Sequence, residues 1–188
     1  MTGLVDKIRD LVEETCNAET NEFIGGWPHT VSVVKYSKAL AEKLGADVET
    51  VEIAAYLHDY ASIKDAKLTP EHHIHGAEEA EKILSGLNYP KARIDKVKHC
   101  IYAHRGSQKI PRETLEADCV ANGDAMAHFN AVPELLFLAY TKYAFGIEEG
   151  KEWVRAKLER SWNKLTPDAK DIVKEDYAVA DKILVQKI

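Results

Sequence analysis

Cysteine is scarce in this chain. Its three residues, Cys16, Cys100 and Cys119, form an odd set with no Cys-x-x-Cys spacing. That pattern points to reduced, buried thiols in a cytosolic protein, not to a disulfide framework. Long apolar runs are also missing: none approaches the ~20 residues of a membrane span. The N-terminal MTGLVDKIRDLVEE is amphipathic and carries acids, which argues for a helix and against a signal peptide. Positive charge is in deficit, with 25 Lys and Arg against 31 Asp and Glu, a formal net charge of −6. This argues against long nucleic acid as a partner but leaves small anions open wherever positive charge is locally concentrated. No Gly-x-Ser-x-Gly element, no Gly-rich phosphate loop with its lysine and no dinucleotide fingerprint occurs. Strand-period alternation, internal repeats and low-complexity segments are absent as well.

What remains is helical periodicity in a chain of ordinary globular composition, 188 residues with 45% hydrophobic and 30% charged. The length predicts one domain with a substantial core. Leu4, Val5, Ile8, Leu11 and Val12 predict a helix over 3–16. Residues 17–28 interrupt it and end in Gly25-Gly26-Trp27-Pro28; Pro28 suits the first turn of a helix running to about Leu44. Gly45 is placed to end that helix and Asp47 to cap the next, about 48–59. A polar loop is expected over 61–71, then helices over about 72–85, 90–104 and 113–130, with Pro133 starting another. The last third, 147–188, reads as two long amphipathic helices, the second opened by Thr166-Pro167-Asp168. Their apolar stripes, 147–165 and 171–184, serve the core or a homodimer contact. An all-α helical bundle follows.

Residues 56–60, Tyr-Leu-His-Asp-Tyr, carry the chemistry. His58 shares a helical stripe with Val48, Val51 and Ala55, so it points inward, where an imidazole beside the Asp59 carboxylate is costly to bury. His29 lies upstream; His75 and His104 lie downstream. Asp124 sits among Val120, Ala121, Ala125, Met126 and Ala127, where a carboxylate needs a partner or a metal. Each has an ordinary explanation: a satisfied core histidine at His58, a helix cap at Asp59, a helix-end cation at His104. All of these would have to hold at once. Four imidazoles and two carboxylates on helix faces and helix ends argue for a metal-binding set.

The ordered pattern His29, then His58-Asp59, then Asp124 resembles the HD superfamily of metal-dependent phosphohydrolases. His75 in His75-Gly76-Ala77 and His104 in Ile101-Tyr102-Ala103-His104 resemble its six-ligand, two-metal branch, similar to HD enzymes that hydrolyse diadenosine tetraphosphate. The resemblance covers about residues 25–130. It implies an HD-domain-like bundle over the whole of 1–188, with 131–188 as a C-terminal helical extension that includes two additional helices. In that arrangement His29, His58, Asp59 and Asp124 hold one metal, and His75 and His104 hold a second, with Asp59 bridging. In such proteins the last ligand lies in an Asp-Ala-Asp stretch; here the run is Asn122-Gly123-Asp124, with Asp118 as the alternative. Gly123 is costly inside a helix, and one reading is that it allows close approach of another backbone.

Imidazole and carboxylate ligands suit Fe, Mn, Co, Ni or Zn, one or two ions. The implied activity is hydrolysis of a nucleotide or other small phosphate ester by a metal-activated hydroxide. Asp59 is then a catalytic as well as a ligating residue, and Lys64 and Arg105 are candidates to hold the phosphate. His72 and His73 are expected at the surface, and His99 and His128 in core or surface roles. Two alternatives share the pattern: a mixed-valence di-iron oxygenase with the same ligands, and a catalytically inactive HD module that only binds nucleotide.

Overall fold

A computed structural model describes residues 3–19, 21, 26–106, 108 and 110–185. Among these residues there are helices and no strands. They are α1 (Leu4–Cys16), α2 (Gly26–Leu44), α3 (Val48–Leu57), α4 (Tyr60–Lys64), a 3-10 segment (Ala66–Glu71), α5 (His72–Gly86), α6 (Lys91–Ala103), α7 (Leu115–Ala127), α8 (Val132–Thr141), α9 (Ile147–Lys164) and α10 (Pro167–Val185). The all-α class and the two C-terminal helices are as the sequence indicates. The expected loop over 61–71 is instead a short α-helix followed by the 3-10 turn. The contacts group the chain into two compact units, Met1–Asp124 and Ala125–Ile188. No helix among the described residues is long and apolar enough to cross a membrane.

In the first unit, α2 packs on α3, α3 on α6, and α5 on both α4 and α6. Local chemistry sets the ends. Gly45 takes φ +76°, and the Ala46 N–H reaches back to the Ala41 carbonyl at 3.0 Å, closing α2. Asp47 then caps α3, its carboxylate accepting from the Thr50 N–H at 3.2 Å. The same carboxylate receives Arg93 of α6 at 2.8 Å, so the cap also ties α3 to α6. Val33, Leu40, Val51, Ile53, Leu57, Leu84, Val97 and Ile101 form the buried core; side chains of this size each contribute about 1.5–3 kcal/mol when fully buried.

The second unit packs α9 against α8 and α10. Val154, Leu158, Leu165, Ala169, Val173 and Leu184 are among its buried aliphatic side chains. Trp162 stacks on Tyr177 at 4.5 Å between ring centres, with Phe129 edge-on to Tyr177 at 5.3 Å. Pro133 lies in the first turn of α8, as expected from the sequence. A Cβ on Gly150 would stand 2.3 Å from the Tyr140 ring of α8, so a side chain there would have to displace that ring.

Candidate metal centre

α3 stops at Leu57, and the His58-Asp59 pair forms the break before α4. His58 is completely buried. Asp59 stands where a residue would cap α4, yet its side chain makes no capping bond; the carboxylate turns toward histidines. Its Oδ2 lies 3.3 Å from His58 Nε2, and its Oδ1 lies 3.4 Å from His72 Nε2 and 3.8 Å from His104 Nε2. His72 Nε2 and His104 Nε2 are 3.1 Å apart. On the other flank, His29 Nε2 lies 3.3 Å from Asp124 Oδ1, and the His29 and His58 ring centres are 5.4 Å apart. His29, His58 and Asp59 form one group whose ligand atoms all lie within 4.8 Å of one another; Asp59, His72 and His104 form a second.

The tautomers follow from the backbone. His58 Nδ1 lies 2.8 Å from the Ala55 carbonyl, His72 Nδ1 2.8 Å from the Thr69 carbonyl and His104 Nδ1 2.5 Å from the Ile101 carbonyl, each three residues earlier. A carbonyl has no proton to give, so each Nδ1 must be the donor. In the neutral rings every Nε2 is then a bare lone pair. These lone pairs and the Asp59 oxygens are all acceptors, and they face one another at close range. His58 Nε2 is buried without a hydrogen-bond partner. Such a set requires a cation, and a ring whose Nδ1 donates to a carbonyl is the usual form of a metal-ligating histidine. The residues present fit a divalent metal.

A proton is the alternative cation. Burial would lower the His58 pKa, but the Asp59 carboxylate and, more weakly, Asp124 outweigh it and push it up to about 9. Asp59 is opposed by burial too, but His58 and His104 hold its carboxyl well below the usual range. His72 moves the other way: burial lowers its pKa despite Asp59, which favours the neutral, ligating ring.

Of the candidates, the structure brings His29, His58, Asp59, His104 and Asp124 together. His75 is not among them. Its ring is 35% exposed and its Nδ1 lies 3.5 Å from Glu78. His72 stands beside His104 instead, their Nε2 atoms 3.1 Å apart. α5 starts at His72 and meets the cluster with its first turn, and each further turn carries a residue 5.4 Å along the axis. The same finding corrects the expectation that His72 and His73 lie at the surface, since His73 is only 6% exposed. The signal was the position of His72 at a helix start, one residue beyond a proline-containing turn. Asp118, the alternative to Asp124, pairs with Arg112 at 3.4 Å instead.

Lys64 is half exposed, and its ammonium is 2.7 Å from Glu79, which also receives Lys82 at 2.8 Å. Arg105 bonds the Pro70 carbonyl and approaches His73 Nδ1 at 3.3 Å. Burial, with Arg105 beside it, holds His73 below its ordinary pKa, so it accepts from the guanidinium as a neutral ring. His99 Nε2 accepts from the Glu113 N–H at 3.0 Å. In the second unit, His128 Nδ1 is 3.1 Å from Ser161 Oγ.

The HD domain family model matches residues 26–128. Ribonuclease Y of Mycoplasma capricolum subsp. capricolum is 31% identical over 112 residues, covering 57% of this chain and 20% of that protein. Ribonuclease Y of Mycoplasma mycoides subsp. mycoides is 30% identical over the same length. The chain thus spans about one fifth of the length of the curated relatives it matches. Bacillus subtilis YpgQ shares the fold at a TM-score of 0.69 and 20% identity, over 96% of this chain and 91% of that one. YpgQ in complex with ADP gives 0.68 at 21% identity, over 96% and 93%. A predicted HD superfamily hydrolase of an uncultured Thermotogales bacterium gives 0.63 at 18% identity, over 95% and 87%.

Proposed function

Because this chain belongs to the HD domain family, we propose that it is a metal-dependent phosphohydrolase acting on a nucleotide or another small phosphate ester. One observation supports this above the rest: the Nε2 lone pairs of His58, His72 and His104 converge on Asp59 with their Nδ1 protons committed to backbone carbonyls. We read the cluster as a two-metal centre. His29, His58, Asp59 and Asp124 would hold one ion, and His72 and His104 the other, with Asp59 offering one oxygen to each side. The likeness to diadenosine tetraphosphate hydrolases belongs to this reading.

Divalent ions bound there would supply Lewis-acid polarisation of phosphoryl oxygens and a water acidic enough to attack at neutral pH. The protein's own groups do the rest. The Asp59 carboxylate would help hold the metal on either flank, its Oδ2 facing His58 and its Oδ1 facing His72 and His104. Its carbonyl-bound histidines are preorganised, so little motion is needed when substrate arrives. Arg105, beside His104, would take phosphate charge. Lys64 would have to leave Glu79 to do the same, which makes it the weaker of the two candidates. The protein would be cytoplasmic, a single HD-type domain with a helical extension, and directed to small substrates.

Elemental analysis of the purified protein, followed by a phosphate ester panel with Mn2+, Co2+ or Ni2+, tests the reading. Phosphate release from nucleotides or simple esters is the expected result. Cleavage confined to an RNA oligonucleotide would overturn the substrate class. Oxygen uptake with an iron EPR signal would replace hydrolysis by oxygenase chemistry. Protein inert with every metal would leave a binding module.

A further inference from the structure

Asp124 follows the residue at which α7 lies against Ser37 of α2. α7 meets α2 at Gly123, the residue before Asp124. A Cβ on Gly123 would stand 2.0 Å from Ser37 Oγ, 2.9 Å from the Ser37 backbone nitrogen and 3.0 Å from Ser37 Cβ. Ser37 is fully buried, so its side chain has nowhere to swing, and its backbone is held inside α2. Glycine within a helix costs about 1 kcal/mol relative to alanine. No unusual backbone angle accounts for it here, since Gly45 is the glycine with positive φ among the described residues. The close approach does account for it.

That approach bears directly on the candidate metal centre. α2 carries His29 as well as Ser37, and α7 carries Asp124 next to Gly123. The 3.3 Å gap between His29 Nε2 and Asp124 Oδ1 is a distance between these two helices. Functional constellations tolerate about 0.5 Å of misplacement, and the contact a Cβ would make falls far inside any real one. We propose that Gly123 is a positioning residue: by presenting no side chain to Ser37 it seats α7 on α2 and sets Asp124 against His29. The inference rests on the metal-centre reading above.

The test is calorimetric titration of Mn2+ into metal-stripped protein, with circular dichroism to follow the fold. Three variants are compared with wild type. Gly123→Ala should weaken Mn2+ binding on the order of tenfold or more. Adding Ser37→Gly should recover most of that loss, because it removes two of the three obstructing atoms, and Ser37 Oγ has no hydrogen-bond partner to lose. Gly150→Ala places a Cβ against Tyr140 in the second unit; it should lower the thermal midpoint and leave Mn2+ affinity unchanged.

A folded Gly123→Ala protein with wild-type affinity overturns the inference and leaves the proposed function standing. So does a double variant without recovery, or an equal loss in Gly150→Ala. If Gly123→Ala alone does not fold, the double variant decides: near-wild-type affinity supports the positioning role, and weak binding or failure to fold overturns it. Wild-type protein that takes up no metal overturns both readings.

Discussion

The two flanks of the histidine–aspartate cluster are built by different means. On one, His58, His72 and His104 each fix their ring through a carbonyl three residues back, within their own helix or turn. Those bonds are local and form as the helix end forms. On the other, His29 and Asp124 meet across α2 and α7, and their separation depends on how far a buried glycine lets the helices close. Local hydrogen bonds aim the rings; helix packing sets the distances. Asp59 belongs to both flanks, with Oδ2 facing His58 and Oδ1 facing His72 and His104.

The sharpest way to break the comparison is therefore Asp59→Ala. It should abolish bound metal and all phosphate ester hydrolysis while the far-ultraviolet circular dichroism stays helical. Retained activity would contradict a shared carboxylate. Next in size is the contrast between His72→Ala and His75→Ala. The first should weaken metal binding on the order of 10–100-fold, at least the cost of losing a supporting partner. The second should stay within about twofold, because its ring pairs with Glu78 near the surface. The opposite ranking would return His75 to the cluster.

A smaller effect comes from protonation of the metal-stripped protein. The folded pKa of His58 is raised to about 9 from an ordinary value of about 6.5. Its contribution to stability is then fully present below pH ~6.5 and is lost as pH rises through about 9. Chemical denaturation across that range should show falling stability, and His58→Ala should remove that part of the slope. Metal should compete with the same proton, so Mn2+ affinity should rise over the window in which apo stability falls. Stability that is flat with pH in both proteins would contradict the coupling to Asp59.

The smallest expected change lies outside the cluster. Ala144, between Tyr143 and Phe145, sits at φ 54°, a conformation that costs a residue with a Cβ about 1–2 kcal/mol. Ala144→Gly should stabilise the protein by about 0.5–1 kcal/mol after glycine's own entropy cost. Mn2+ affinity should not change, which separates packing of the second unit from the site chemistry.

Much of this architecture was legible in the chain itself. Pro28, Gly45 and Asp47 mark helix ends because φ preference and side-chain capping act within a few residues. The stripe through Val48, Val51 and Ala55 placed His58 inside for the same local reason. The helical turns within 61–71 leave no periodic signal because they are short, and α4 is buried through Tyr60, Ala61, Ser62 and Ile63 instead of carrying a long periodic face. Periodicity does not separate His72 from His75, because the two are three residues apart on one helix and fall on the same side.

The sequence by itself determined the longer helices, the inward face of His58 and the set of residue types able to hold a cation, because each depends on neighbours along the chain. Only the tertiary structure decided that His72 and not His75 meets His104, that the Asp59 side chain makes no capping bond, and that Asp124 meets His29 across α7 and α2. Those are distances between helices far apart in sequence, fixed by buried packing whose tolerance is a fraction of an ångström, and no local pattern encodes them.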